Sequence, residues 1–321
     1  MKFSMADAQN LRKMGKPQLP PLPPEPLSYF DRYDRTTKVE KIFGERWLRF
    51  AYGNPVGLLS VWLFAKRSLF SWHYGRKMND RRSDMLIYKF IADYDVNASE
   101  FAKSAFEFKT FNEFFHRALK PESRPIAPGD RVAVLPADGR HLAFPDVDRA
   151  DGFYVKGAKF TLEELLGDSE MASRFAGGSM LISRLCPSDY HRFHFPVSGI
   201  PSEPRLVRGS LYSVSPIALR QNIRYLVRNK RYVTQIESPE FGSVVMLEVG
   251  ATNVGSIVEG FVYGRAVAKG DEKGMFAFGG SCVITLFGRN RIVFDSDIVE
   301  QSARWIETYA RMGDRLGTAP G

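Results

Sequence analysis

The chain has 321 residues, 44% hydrophobic and 25% charged, enough apolar content to bury one large core or two smaller ones. Forty-five Lys and Arg against 36 Asp and Glu leave a formal net charge of +9, which calls for an anionic partner, either nucleic acid or a membrane surface. Two cysteines, Cys186 and Cys282, exclude a disulfide framework and point to a reducing compartment. The sequence shows neither zinc-finger spacing nor an RNP-type aromatic motif, so the balance falls to the membrane.

Residues 1–28 read as a disordered tail. "MKFSMADAQNLRKMGK" lacks the apolar core of a cleavable signal peptide, and "PQLPPLPPEP" is an extended Pro-rich segment. From 29 to 118 the pattern is mostly helical. "KVEKIFGERWLRFAYGNPVG" carries Val39, Ile42, Phe43, Trp47 and Phe50 near helical spacing, and Asn54-Pro55 breaks it. Next, Leu58, Trp62, Ala65, Leu69 and Trp72 share a helix face whose C-terminal half is crowded by Lys66, Arg67, Arg76, Lys77, Arg81 and Arg82. Two tryptophans beside a basic flank suit a helix lying among lipid headgroups, with a helix packed on the rest of the chain as the alternative. No stretch reaches the ~20 apolar residues of a membrane span.

From 119 to 321 short β-type runs alternate with Gly/Pro turns, among them "RVAVLPADGRHLAFP", "SMLISRLCPSDY" and "RYVTQIESPEFGSVVMLEVGATNVGSIVEGFVY". "FTLEELLGD" interrupts them as one short helix, with Thr161 as N-cap and Glu164 at the capping-box position. The fold class expected is α+β: an antiparallel, β-rich catalytic domain preceded by a helical, membrane-facing N-terminal region. Near the end, "MFAFGGSCVITLF" sets a Gly-Gly-Ser-Cys tetrapeptide between two strand-like runs, Phe276 and Phe278 on one side and Val283, Ile284, Leu286 and Phe287 on the other. A hairpin turn would explain it.

Five histidines are candidates for chemistry: His73, His116, His141, His191 and His194. His191 and His194 would share a helical face but point opposite ways in a strand. They lack further ligands at metal-site spacing, so no metal is expected. Asp138 sits in a Pro/Gly turn, and Gly250 and Gly255 surround Thr252 and Asn253 in a turn or pocket wall. A Ser, a His and an Asp on separate strands can supply nucleophile, base and orienting carboxylate. Ser281 lacks a G-x-S-x-G elbow, however, and the electrophile beside it is the carbonyl of Gly280. Flanking glycines leave that bond open to attack.

These blocks together resemble the phosphatidylserine decarboxylases, self-processing pyruvoyl enzymes. "FNEFFHRALKPESRPI", "PADGR", "DYHRFHFPVSG", "LYSVSPIALR", "LEVGATNVGSI" and "KGDEKGMFAFGGS" occur in the family's order, within a likeness running from about Tyr29 to the C-terminus. The resemblance implies a self-cleavage triad of Asp138, His194 and Ser281, with His191 serving in decarboxylation. It implies scission at Gly280–Ser281 into a β chain of residues 1–280 and an α chain of residues 281–321. The cofactor implied is pyruvate, a covalent pyruvoyl group made from Ser281. A Schiff base between that group and phosphatidylserine would lose CO2 to give phosphatidylethanolamine. Also implied are phosphatidylserine in an anionic membrane as partner and a peripheral location on the cytoplasmic face of the cell membrane. The product is expected as an α/β heterodimer, with further dimerisation left open and no nucleic acid involved. Cys282 departs from the family, which usually has Ser or Thr there, and a thiol is the weaker donor. Three rivals stand beside this reading: a pyruvoyl decarboxylase of a soluble amino acid, a serine hydrolase with Ser281 intact, and a non-enzymatic lipid-binding protein.

Overall fold

The computed structural model describes residues 27–42, 44–61, 75–147, 160–251, 257–277 and 281–321. In chain order its strands are β1 (Ser28–Asp31), β2 (Thr36–Val39), β3 (Val132–Val134), β4 (Gly139–Phe144), β5 (Ser179–Leu185), β6 (Arg192–His194), β7 (Ile200–Pro201) and β8 (Arg205–Val207). They continue with β9 (Arg231–Ser238), β10 (Gly242–Val249), β11 (Ile257–Glu259), β12 (Glu272–Phe276), β13 (Ser281–Phe287), β14 (Val293–Phe294), β15 (Glu307–Ala310) and β16 (Arg315–Thr318). Among the described residues, ten of them form one sheet ordered β2-β1-β15-β4-β5-β13-β10-β9-β7, with β8 also on β9. Two three-stranded sheets, β11-β12-β6 and β14-β16-β3, complete the set. Only β1 against β15 is parallel among these pairs. The fold is therefore mixed α and β with a large, antiparallel-rich sheet.

At its centre both faces of the large sheet are covered, so every residue of β5 and β13 is buried, the polar Ser183, Arg184 and Thr285 included. Alternation sends Leu181, Leu185, Val283 and Phe287 to one face, where Phe193 and Phe276 of the small sheet cover them. Met180, Ile182, Cys282, Ile284 and Leu286 go to the other, under Leu165, Leu166, Phe175 and Leu226. Leu165 and Leu166 belong to the short helix Leu162–Leu166, which starts with the expected capping box of Thr161 and Glu164.

Two expectations change. The N-terminal region begins with a hairpin, β1 and β2, because β15 near the other end of the chain offers a free edge for β1. Val39 thus lies in a strand, and the helix spans Glu45–Gly53. It ends at Asn54, whose side chain caps the next helix, Pro55–Ser60, through the N–H of Gly57. Leu48, Ala51 and Tyr52 pack against Ile217, Ala218 and Tyr225 of the β-rich domain. Of the basic, tryptophan-bearing face, Trp62, Ala65, Leu69 and Trp72 lie outside the described residues. The second change concerns the Gly-Gly-Ser-Cys stretch. β12 pairs with β6 and β11, whereas β13 pairs with β5 and β10, so the two runs are not a hairpin. The chain crosses there from the small sheet to the large one.

Candidate active site

Ser281 is the first residue of β13 and pairs with Leu185. It shares a face with Val283, the face covered by the small sheet that carries the histidine motif. The residue is fully buried, and its Oγ has no hydrogen-bond partner among the described residues. A hydroxyl so placed is not committed to a structural bond. Cys282 points the opposite way, packed in the second core, where burial pushes its thiol up to about 12. A hydroxyl function expected at that position therefore has no counterpart on the Ser281 face.

His194 ends the strand β6, and His191 lies just before it, so the two do not share a helical face. His194 is buried, its N–H donates to the carbonyl of Pro136 at 2.7 Å, and its ring lies 5.7 Å from that of Tyr190. Burial, with Arg192 adding, pulls its pKa down to about 4, so the imidazole is neutral at physiological pH. His191 Nδ1 lies 2.9 Å from the carbonyl oxygen of Asp189. A carbonyl only accepts, so Nδ1 carries the hydrogen there. The ring rests on Phe115, centroids 3.8 Å apart. The N–H of Phe276 donates to the carbonyl of His191 at 2.9 Å, which holds the end of β12 against the histidine segment.

Asp138 lies just before β4. A Cβ on Gly139 would sit 2.5 Å from the carbonyl oxygen of Arg184, so glycine alone lets this turn lie flush on β5. Extending the registers, Gly139, Leu185 and Ser281 fall in one row across β4, β5 and β13. Two strand spacings put Gly139 roughly 10 Å from Ser281. The Pro136 contact brings the Asp138 turn to His194 as well. The three expected triad members thus converge by backbone. Their side chains do not form the expected relay: Nδ1 of His194 has no partner among the described residues. The Asp138 carboxylate is instead taken by Arg124 (Nε 2.9 and 3.0 Å, Nη2 2.6 Å) and by the N–H of Met312 at 2.8 Å. Burial raises the Asp138 pKa, and Arg124 opposes that rise. A cleft of about 520 Å³ reaches this ion pair, lined also by Arg117, Arg140, Asp189 and Tyr190.

The remaining described histidines, His116 and His141, lie outside the Ser281–His194 arrangement. His141 bridges Ser183 Oγ (2.9 Å) and the Ala310 carbonyl (3.3 Å), and burial pulls it down to about 3. The His116 carbonyl takes a bond from Arg192 Nε. His73, Thr252, Asn253, Gly255 and Gly280 lie outside the described residues. Among the described residues no three His, Cys, Asp or Glu side chains converge as metal ligands. Sequence reasoning missed Arg124, which stands alone in a Pro-rich loop, and the buried Glu248–Lys273 pair, which a glutamate inside the apolar run "VVMLEV" could have signalled.

Comparison with known proteins bears directly on this site. The profile of a family described as phosphatidylserine decarboxylase matches residues 111–318. A phosphatidylserine decarboxylase proenzyme of Chlamydia muridarum is 50% identical over 252 residues, 78% of this chain and 84% of that protein. Proenzymes of the same name from Fusobacterium nucleatum and Clostridium novyi are 42% and 41% identical, each over 280 residues and 87% of this chain, covering 93% and 95% of those proteins. A solved structure of a glucose permease IIA from Mycoplasma capricolum matches 58% of this chain and 93% of its own, at 15% identity and a TM-score of only 0.27.

Proposed function

The chain belongs to the phosphatidylserine decarboxylase family, which converts phosphatidylserine to phosphatidylethanolamine, and from that premise we propose how its residues carry the chemistry. Ser281 Oγ attacks the carbonyl carbon of Gly280 and passes its proton to His194, a neutral base in its buried setting. The new C–O bond forms, His194 returns the proton to the peptide nitrogen and the C–N bond breaks, which leaves an ester and a free amine on residue 281. Loss of the Cα proton expels the Gly280 carboxylate and leaves dehydroalanine. Its imine tautomer takes up water and releases ammonia. The products are residues 1–280, ending in an ordinary carboxylate, and residues 281–321, beginning with a pyruvoyl group. That carbonyl supplies the electron sink for loss of CO2 from the condensed substrate amine. His191, whose Nδ1–H is given to the Asp189 carbonyl, presents an unprotonated Nε2 that takes up a proton from solvent and, as imidazolium, passes it to the former Cα of the product, returning to its neutral form. Asp138 supports His194 once its carboxylate turns from Arg124. The observation that carries this reading is the buried, uncommitted hydroxyl of Ser281 facing the histidine sheet.

The same reading places the enzyme peripherally on the cytoplasmic face of the cell membrane, as an α/β heterodimer. No helix among the described residues is long and apolar enough to cross a membrane. The helices Glu45–Gly53 and Pro55–Ser60 leave Trp47, Phe50, Val56 and Leu59 exposed, with Arg46 and Arg49 beside them. Such a face suits insertion among anionic headgroups. These two helices thus serve docking, and residues 119–321 serve catalysis. The test is CO2 release from phosphatidylserine vesicles against a panel of free amino acids. Release from vesicles supports the proposal. Release from a free amino acid alone, or ester hydrolysis by a chain with Ser281 intact, overturns it.

A further inference from the structure

Lys273 and Glu248 are both fully buried, and neither takes part in the chemistry above. Lys273 Nζ lies 3.0 Å from Glu248 Oε1 and 2.8 Å from Glu259 Oε2. Its ammonium also sits over the rings of Phe193 and Phe261, at 5.5 and 4.9 Å. A local irregularity creates the contact. Glu272 pairs with His194 and Gly274 with Phe193, so Lys273 is the extra residue of a β-bulge. The bulge turns a charged side chain into the core instead of out to solvent. Gly274 is required beside it, since a Cβ there would lie 2.3 Å from the Val258 carbonyl oxygen.

The cluster links the small sheet to the large one, on the face of the large sheet that carries Ser281. Lys273 belongs to β12, the strand paired with the His194 strand. Glu248 belongs to β10 and stands opposite Val283, two residues along β13 from Ser281 and on the same face. Diagonal neighbours of this kind lie about 7–8 Å apart. The groups facing Glu248 are Lys273 from β12, Glu259 from β11, Ser281 from β13 and Tyr232, its register partner on β9. We infer that Glu248, Lys273 and Glu259 form a positioning clamp that holds the His194 strand over Ser281, and that the clamp is sound only while Glu248 keeps a proton. One ammonium, one carboxylate and one carboxylic acid make a neutral buried set, whereas a second carboxylate adds an uncompensated buried charge. Burial pushes Glu248 up to about 8, Lys273 opposing and Glu259 adding to the rise. With a folded value above the unfolded one, the proton's stabilisation is complete below the unfolded carboxyl range and is lost as pH rises through about 8.

This inference rests on Gly280–Ser281 being the bond that is cut. The test follows self-cleavage of freshly translated full-length chain on denaturing gels, in buffers on either side of pH 8. Wild type should cleave at a steady rate at neutral pH and about tenfold more slowly well above pH 8, a tenfold loss corresponding to about 1.4 kcal/mol. His194 cannot produce that decline, because it is already neutral there. Glu248→Gln, isosteric and permanently uncharged, should cleave within about threefold of wild type at neutral pH and show no alkaline decline. A Glu248→Gln profile with the wild-type decline overturns the inference and leaves the cleavage reading standing. A wild-type chain that stays whole overturns both. An infrared titration of unsubstituted protein gives a reading independent of any variant. A carboxylic-acid carbonyl band that persists at neutral pH and bleaches through about pH 8 supports the clamp, and its absence at neutral pH contradicts it.

Discussion

Arg124 grips Asp138 with two of its nitrogens, Nε 2.9 and 3.0 Å from the two carboxylate oxygens and Nη2 2.6 Å from Oδ2, in a site almost closed to water. Burial favours the protonated acid and the guanidinium opposes it. Arg124→Met would leave only the Met312 N–H to oppose burial, so the Asp138 pKa would rise further and its carboxylate would support a charged His194 less well. Self-cleavage should then slow by about 10²-fold and recover partly as pH is raised. Gel densitometry over a time course measures it. A rate equal to wild type would mean that the ionisation of Asp138 is not used.

His194 is pulled down to about 4 by burial and Arg192. Its contribution to stability is present above its unfolded value, near 6.5, and is lost as pH falls through about 4. Self-cleavage should accordingly be insensitive to pH from neutrality down to about 5 and collapse below about 4. His194→Gln should cut the rate by about 10²–10⁴ at every pH. A pH–rate profile of wild type with its midpoint near an ordinary histidine value would contradict the buried-base reading.

Glu40 ties the N-terminal hairpin to the sheet. Its oxygens lie 2.9 and 2.8 Å from Nη1 and Nη2 of Arg184, which pairs across β13 with Cys282. Although burial acts against it, Arg184 holds the Glu40 pKa down to about 2. Glu40→Ala should destabilise the fold by about 1.5–3 kcal/mol, because it removes charge-assisted bonds to a buried Arg184 that keeps Glu307 as a partner. Urea unfolding measures this, and a loss under about 1 kcal/mol would show the pair to be energetically idle.

Trp47 and Phe50 project from a helix whose opposite face, Leu48, Ala51 and Tyr52, is packed on the β-rich domain. Trp47→Asp with Phe50→Asp should release the protein from anionic vesicles in a flotation assay and leave self-cleavage unchanged. Higher salt should weaken wild-type binding, since each basic residue near the surface contributes about 1 kcal/mol. Undiminished flotation of the double variant would move the docking face elsewhere.

How much of this was legible beforehand depended on whether the signal was local. The Thr161–Glu164 capping box and the Asn54-Pro55 break are governed by neighbours in sequence, and both appear as read. Alternation marked β12 and β13 as strands but said nothing of partners. Proximity along the chain suggested a hairpin, whereas β13 finds β5, about a hundred residues earlier. β1 and β2 are four-residue strands with few apolar side chains, and what stabilises them is the edge of β15 at the far end of the chain. The chemical residues were legible as types in motifs, and the fold does converge their backbones. The grip of Arg124 on Asp138 was not, because an ion pair between a loop and a turn leaves no periodic trace.

The claim on which the rest depends is that the chain cuts itself before Ser281. Intact mass spectrometry of the purified protein tests it most directly. The account predicts two chains, the smaller comprising residues 281–321 with an N-terminal carbonyl in place of the amine and reactive with hydroxylamine, and a single chain for Ser281→Ala. A wild-type protein of one undivided mass, inert to hydroxylamine, would contradict it.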